Sequence, residues 1–377
     1  MADTPNRSAQ TTDHPQRYST ETASNEAPRY RGETRVLHLG PWSREGGLAT
    51  YSQYLVSASR SELDDITFEV FEWDSEPLLV RGTGVKALSR SLLFGIRDAD
   101  VVHVQYIFNR YVLSFPIIVL FCLLTRTPLV MTDHNAEYMD LPFTRFFYLY
   151  HQALYFFVDA ILVHSNARAE TIWNRHAAKV TVIPHGVIYR GDVERDPRQI
   201  RQLLLPGFIR RNKGHDLAVE AMEHLPSEVE LEIAGPIHEE DYVEELNTLA
   251  DRKGVSDQVR WETGFLPEDM LYKKLREADL VVLPYKKARP MSGILGHSIS
   301  WQVPTILTDF PAFRDAVDCD EAFFDPRTPE ELAAAVGRFD ENPDFQQAII
   351  DTFAELSQER SWDNTARKTQ DIYESVT

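Results

Sequence analysis

Cysteine is nearly absent. Only Cys122 and Cys319 occur in 377 residues, 197 positions apart, which excludes a disulfide framework and a thiolate metal site. Lysine is scarce as well: nine of the 39 basic residues, against 30 arginines, and with 58 acidic residues the formal net charge is −19. No long basic tract offsets that balance, so no nucleic-acid partner is expected. An acidic, lysine-poor surface is similar to those of proteins from salt-loving (halophilic) microbes, where high net charge keeps a chain soluble. No apolar run reaches the ~20 residues of a membrane-spanning helix. The longest, Val112 to Leu124, has thirteen residues interrupted by Pro116 and reads as a buried helix. Residues 1–33 are polar, rich in Ser, Thr, Pro, Asn and Gln, and hold no apolar core that could act as a signal peptide, so they read as a disordered tail. A reducing cytoplasmic setting fits all of this.

What is present is alternation. Short apolar strands are expected at 35–40, 66–73, 101–106, 128–134, 160–165 and 180–186, with helices or loops between them. After the polar stretch GDVERDPRQIRQ the pattern restarts with LLLPGF and continues at 230–235, 259–265, 279–285, 303–309 and 322–325. Near-continuous apolar strands joined by helices predict parallel sheets covered on both faces. At 377 residues the chain exceeds the roughly 250–300 at which a single core stops growing. Two doubly wound α/β domains are therefore expected, joined near 187–201, with a ligand between them. No period of 20–50 residues repeats. Between the fourth and fifth strands, PFTRFFYLYHQALYFFVDAILV carries eight aromatic rings, Phe143, Phe146, Phe147, Tyr148, Tyr150, Tyr155, Phe156 and Phe157. These rings either fill core or form an amphipathic anchor for a peripheral membrane contact.

The segment LLPGFIRRNKG, Leu204 to Gly214, breaks an apolar run at Pro206-Gly207 and leads into three cations ahead of the helical pattern DLAVEAMEHL. Arg210 and Lys213 thus stand where a strand hands over to a helix, the crevice in which open α/β sheets bind ligands. Cations beside a helix N-terminus suit a diphosphate. The first strand ends LGPWSREGGLAT, with Gly46 and Gly47 at the mouth of a helix beginning near Leu48. Paired glycines let backbone N–H groups approach a phosphate, although a tight turn uses the same pair. The spacing from Gly40 is not G-x-G-x-x-G, so the dinucleotide fingerprint is missing and an NAD-dependent oxidoreductase is the weakest candidate.

Taken in order, GG at 46–47, TDHN at 132–135, VHS at 163–165, VIPHGV at 182–187, GFIRRNKGHDLAVEA at 207–221, EIAGP at 232–236, TGFLPEDMLYKKLREADLVVLPY at 263–285, SGIL at 292–295 and QVPTILTDFPAFRD at 302–315 make the chain from about residue 34 resemble the family 4 retaining glycosyltransferases of GT-B fold. SWDNTARKTQDIYES at 361–375 extends the likeness to the C-terminus. The resemblance implies two Rossmann-like domains facing each other across a cleft: an acceptor domain at 34–187, a nucleotide-sugar domain at 188–355, and a C-terminal helix at 356–377 packing back on the first domain. It implies a nucleotide sugar as co-substrate, a glycan or lipid-linked acceptor, and neither metal nor other cofactor, since Arg210 and Lys213 would grip the diphosphate. His134 would lie against the donor sugar and acceptor, in hydrogen bonding and orientation more than in proton transfer. His185-Gly186 would form a domain-linking turn. Gly46, Gly47, Gly235, Phe265, Leu266, Ser292, Gly293, Ile294, Leu295 and His297 would line the donor site, with Phe265 and Leu266 at the nucleobase. Asp98-Ala99-Asp100 and Asp318-Cys319-Asp320 read as structural turns.

One segment departs from the family pattern. Two glutamates eight positions apart are expected ahead of Pro304, and Arg289 and His297 stand there instead. Backbone N–H groups at Ser292 to Leu295 can still cap a diphosphate if a helix starts there, and His297 can hydrogen-bond a ribose hydroxyl. Two other readings stay open on the same scaffold: a non-catalytic sugar-nucleotide-binding partner in a glycan assembly complex, and a nucleotide-sugar epimerase or hydrolase. The expected setting is cytoplasmic, including the cytoplasmic face of a membrane.

Overall fold

The computed structural model describes residues 34–43, 47–63, 65–72, 90–107, 111, 114–134, 144–191, 193–287, 292–325 and 327–377. The readings of the N-terminal tail, Gly46 and Arg289 lie outside these residues. Two parallel six-stranded sheets organise the chain. The first comprises β1 (Thr34–Gly40), β2 (Ile66–Glu72), β3 (Val101–Tyr106), β4 (Leu129–Asp133), β5 (Ala160–Val163) and β6 (Val180–Val182), in spatial order β2-β1-β3-β4-β5-β6. The second comprises β7 (Gln202–Pro206), β8 (Glu230–Gly235), β9 (Val259–Thr263), β10 (Leu280–Leu283), β11 (Thr305–Thr308) and β12 (Phe323–Phe324), in order β12-β11-β10-β7-β8-β9. Read from its other edge, the second order is the 3-2-1-4-5-6 of a dinucleotide-type fold, with its switch point between β7 and β10.

The strands are apolar because helices cover both faces. β3 is buried along its whole length even though it contains His103 and Gln105, and β1 buries His38 in the same way. On one face of the first sheet pack α1 (Gly47–Glu62) and the last helix of the chain; on the other pack α2 (Arg90–Asp98), α3 (Phe115–Thr125) and α4 (Thr144–Leu154). α5 (Asn166–Glu170) follows β5. The second sheet carries α6 (His215–Ala221), α7 (Glu240–Lys253), α8 (Glu268–Glu277), α9 (Gly293–Ser300), α10 (Pro311–Arg314), α11 (Pro329–Glu341) and α12 (Pro343–Glu359). α13 (Trp362–Val376) returns to the first domain and places Ile372 and Tyr373 in its core.

α3 is not the buried helix that its hydrophobicity suggests. Phe115, Ile118, Val119 and Cys122 face the core, whereas Leu120, Leu123 and Leu124 are exposed, Leu124 by 69%. Pro116 does not interrupt it; it sits in the first turn, where a missing N–H costs nothing. The aromatic stretch divides likewise: Tyr155 is buried and Tyr150 leans on the core, while Phe156 and Phe157 are half exposed on the turn after α4. Asp100 accepts a hydrogen bond from the Arg35 amide at 2.9 Å, which ties α2 to β1.

The chain crosses between the domains twice, and the two crossings pair. Val187 N–H donates to Arg360 C=O at 2.8 Å and Trp362 N–H to Val187 C=O at 3.2 Å. Gly186 runs against the Trp362 indole so closely that a Cβ there would lie 2.5 Å from Cδ2. Further links are the Ala167 amide to Asp315 Oδ2 at 2.8 Å and Tyr54 Oη to Glu268 Oε1 at 3.4 Å. Ala167 and Asp315 follow the C-terminal ends of β5 and β11, so both rows of βα loops border one cleft.

Candidate active site

The second domain contributes a crevice at its switch point. β7 ends at Pro206; Gly207 turns at φ +110°, and the chain makes one 3-10 turn, Arg211–Lys213, before Gly214 at φ +75° opens α6. A Cβ at Gly214 would lie 1.8 Å from the Pro284 carbonyl oxygen, so glycine alone permits this loop to lean on the end of β10. Lys213 Nζ stands 3.6 Å from the centre of the Tyr285 ring, and the Tyr285 hydroxyl lies 2.8 Å from Ser292 Oγ. Ser292 is the N-cap of α9, yet its side chain caps no backbone N–H. Apart from its chain neighbours and the helix backbone, no atom of the described residues lies within 4 Å of where a Cβ would sit at Gly293, the first residue of that helix. The cation-bearing loop after β7 and the uncapped helix after β10 therefore meet through one tyrosine. An anion there would face Lys213 and the N-terminal amides of α9 together.

The three cations of the loop part company. Arg211 pairs with Glu239, Asp241 and Glu245, the last at 2.6 Å, and lies over the Tyr242 ring of α7. It is committed to that acidic helix. Arg210 keeps an extended backbone and is half-buried.

The other donor-site candidates fall in different places. Gly235 does not leave ligand room: at φ +149° its missing Cβ makes way for the Gly207 carbonyl oxygen, 2.2 Å from where that atom would sit. Phe265 is 74% exposed after Gly264, whose amide donates to Gly235 C=O at 3.1 Å, while Leu266 packs on the core. Ile294 borders Gly207, and the Leu295 side chain is sealed in the core, which leaves only its backbone toward the crevice. His297 lies one turn further on, its ring 5.6 Å from that of Tyr272, and burial lowers its pKa.

In the first domain His134 follows the end of β4. The preceding Asp133 is held by Arg168 of α5 at 2.6 Å and by the Tyr155 hydroxyl, which donates to it at 2.6 Å. His134 Nε2 lies 2.7 Å from the Gln105 side-chain amide and its Nδ1 lies 3.3 Å from His164 Nε2. Tyr51 of α1 stands at the centre of a cage formed by His134, His164, His185 and Trp362, with ring centroids 4.8, 5.2, 4.9 and 5.1 Å away. Burial drives the His134 pKa well below the usual imidazole value, and neighbouring His164 and His185 push the same way. Gly47 begins α1, the helix that carries Tyr51. Gln105 and Tyr51 escaped the sequence reading; His164 and Tyr285 were visible in it only as letters of longer motifs, and His185 only as part of a domain-linking turn. Among the described residues no three His, Cys, Asp or Glu side chains gather as a metal-holding group.

Comparisons with known proteins agree with this geometry. The family model described as Glycosyltransferase Family 4 matches residues 54–189, and the one described as Glycosyl transferases group 1 matches residues 200–342. A sequence search of curated proteins returns no match. Among solved structures, Anabaena Alr3699/HepE in complex with UDP is similar at a TM-score of 0.72 and 16% identity, over 91% of this chain and 100% of that one. The lipopolysaccharide outer core galactosyltransferase WaaB, in its apo form, is similar at 0.66 and 13% identity, over 91% and 100%. Sucrose-phosphate synthase from Thermosynechococcus elongatus is similar at 0.63 and 15% identity, over 91% and 99%. With one model on each sheet domain and these neighbours in fold, the chain is a family 4-type glycosyltransferase of GT-B fold.

Proposed function

We propose that this protein moves a sugar, with retention of configuration and without a metal ion, from a nucleoside diphosphate sugar to a hydroxyl of a glycan or lipid-linked acceptor. The observation that supports it most is the meeting of Lys213 with the uncapped N-terminus of α9 through Tyr285. As the glycosidic bond breaks, charge grows on the departing diphosphate. Lys213, Arg210 and the α9 amides supply fixed positive charge where other transferases use a cation. The departing phosphate oxygen takes the acceptor proton, so no side-chain base is needed on the reacting face. UDP-sugars are the first donors to test, since the Anabaena neighbour holds UDP.

Lys213→Ala removes one charge-assisted contact worth roughly 1.5–3 kcal/mol. Turnover is expected to fall at least tenfold while the ligand-free melting temperature stays put. A thermal-shift panel of UDP-, GDP- and ADP-sugars in high potassium chloride names the nucleotide, because a ligand that binds only the folded state raises the melting temperature. Unchanged activity in the purified variant would remove Lys213 from the clamp. His297 and Arg289 in place of carboxylates favour a second reading, a sugar-nucleotide-binding partner without transfer. Donor binding with no product on any acceptor would select it.

We propose one face of the first domain as the seat of a peripheral membrane contact. The helices on one face of the first sheet expose Phe94, Leu120, Leu123, Leu124, Leu149, Phe156 and Phe157, with Arg97 over Phe94 and Arg175 over Phe156. Apolar side chains flanked by cations match the interface of an anionic bilayer. Wild type is expected to co-sediment with phosphatidylglycerol vesicles, and Leu124→Asp with Phe157→Asp to stay in the supernatant. Equal pelleting of both proteins would refute this seat.

A further inference from the structure

A row of five polar side chains runs from the last helix through His134 to His164. Tyr373 Oη lies 2.6 Å from His103 Nδ1, and His103 Nε2 lies 2.7 Å from Thr132 Oγ1 and 3.3 Å from the Gln105 amide. The other end of that amide is 2.7 Å from His134 Nε2; His134 Nδ1 is 3.3 Å from His164 Nε2; and His164 Nδ1 is 2.9 Å from the Ile183 carbonyl oxygen. His103, Gln105 and Tyr373 are at most 1% exposed.

The protons in this row can be counted from its far end. A carbonyl only accepts, so His164 carries its proton on Nδ1. If neutral, its Nε2 is bare and accepts from His134 Nδ1–H. A neutral His134 then has a bare Nε2, which needs a donor, so Gln105 must turn its NH2 group toward His134. The oxygen and nitrogen of a side-chain amide exchange by a half-turn at almost identical positions, and the network decides between them. The Gln105 carbonyl then faces His103 Nε2–H, which also reaches Thr132, and His103 Nδ1 accepts from the Tyr373 hydroxyl. Each link of the row then pairs one donor with one acceptor, and every ring is neutral. With the amide the other way, both ends of the His134–His164 pair point at oxygens. Either the central nitrogens meet without a proton or the pair holds an extra one, a partly buried charge with no carboxylate hydrogen-bonded to it among the described residues, Asp133 being engaged by Arg168.

We propose that Tyr373, His103, Gln105, His134 and His164 form one neutral, one-way hydrogen-bonded chain that ends on Ile183 and fixes the His134 ring at the cleft. Both His134 nitrogens are spent on the protein, so the ring presents carbon edges and a face to the substrate and carries no proton to or from it. Gln105, His164 and Tyr373 are positioning residues that act through His134; this last step rests on the sugar-transfer reading, whereas the chain itself does not.

Nitrogen-15 NMR of the full-length protein labelled at histidine, at pH 7.5 and assigned by single His→Gln variants, reads each tautomer directly. His134 and His164 are expected as neutral Nδ1–H rings, the minority form of a free histidine side chain, and His103 as neutral Nε2–H. An Nε2–H or doubly protonated His134 would overturn the chain. In Gln105→Leu, His134 is expected to lose its single tautomer while kcat falls about tenfold and the donor KM stays within threefold, because the donor grip lies on the other domain. Loss of the tautomer with unchanged kcat would overturn the positioning role. If Gln105→Leu does not fold, Tyr373→Phe tests the chain from its other end, with His103 expected to leave the pure Nε2–H form and a fixed His103 counting against it. The expected tautomers in a protein that transfers no sugar would leave the chain standing and sink the functional reading.

Discussion

Lowering the pH from 7 to 5.5 is expected to cost this protein about 5 kcal/mol of folding stability, read as a fall in the urea midpoint. Three buried histidines and the partly buried His185 set the scale. Burial is the leading cause of each depressed pKa: His38 to about 3, with Arg60 adding to it; His185 to about 3, with His164 adding; His151 and His215 each to about 4. In the unfolded chain these rings titrate near their ordinary value of ~6.5. Below that pH the unfolded state takes up protons that the folded state refuses, so stability falls as pH falls, down to about 3–4; above ~6.5 these groups add no pH dependence. At pH 5.5 each costs about 1.2 kcal/mol relative to pH 7, and four such groups are a large part of a typical 5–15 kcal/mol. His103, His134 and His164 shift in the same direction. Asp133 has its pKa lowered despite burial, by Arg168 first, so its contribution is lost only further into acid, outside this window. His38 offers a control, because neither of its ring nitrogens has a hydrogen-bond partner among the described residues. His38→Leu should reduce the pH slope by about one proton. Equal urea midpoints at pH 7 and 5.5 would contradict the account.

The second large effect concerns Arg168. Its guanidinium is 8% exposed and its partner Asp133 is 0% exposed, so both charges are out of water. Replacing such a pair by apolar groups can be nearly neutral, whereas removing one partner strands the other and costs about 3–5 kcal/mol. Arg168→Leu leaves the Asp133 carboxylate with the Tyr155 hydroxyl as its remaining donor among the bonds described above, and that full cost is expected in denaturant unfolding at pH 7. Asp133→Asn added to Arg168→Leu should recover much of the loss. The variant's deficit should also shrink in acid, since Asp133 without its cation has a raised pKa and protonates early. A loss below 1 kcal/mol, or no recovery in the double variant, would show that the pair carries little of this stability. Because Asp133 immediately precedes His134, the single variant should lose activity as well as stability.

Much of the fold was legible in the residues. All twelve strands lie within a few positions of where apolar runs place them, because a parallel strand covered on both faces has little choice of composition. Ends were read less well: β6 stops at Val182, short of the apolar and glycine positions that follow it. α3 shows the limit of hydrophobicity as a guide, since Leu120 and Phe115 are equally apolar and only the packing of the sheet decides which is covered.

At the site, composition and order were enough to put Arg210 and Lys213 at a strand-to-helix handover, and the structure has them in the turn between β7 and α6, because cations ahead of a helix, after an apolar strand, can occupy few places in an α/β sheet. The parallel two-sheet architecture followed from the same pattern. Three things depended on the tertiary structure. Arg211 is separated from its neighbours by the carboxylates of α7, which are 28 to 34 positions away in sequence. Gly235 gives way to the close approach of the Gly207 carbonyl oxygen. The two nitrogens of His134 are turned to Gln105 and His164, 29 and 30 positions away on neighbouring strands. Sequence shows which groups a chain owns. Hydrogen bonds act over about 3 Å, so which partner each polar group meets is set only when the sheets, the crossings at Val187 and Ser361, and the returning last helix bring distant residues to that distance.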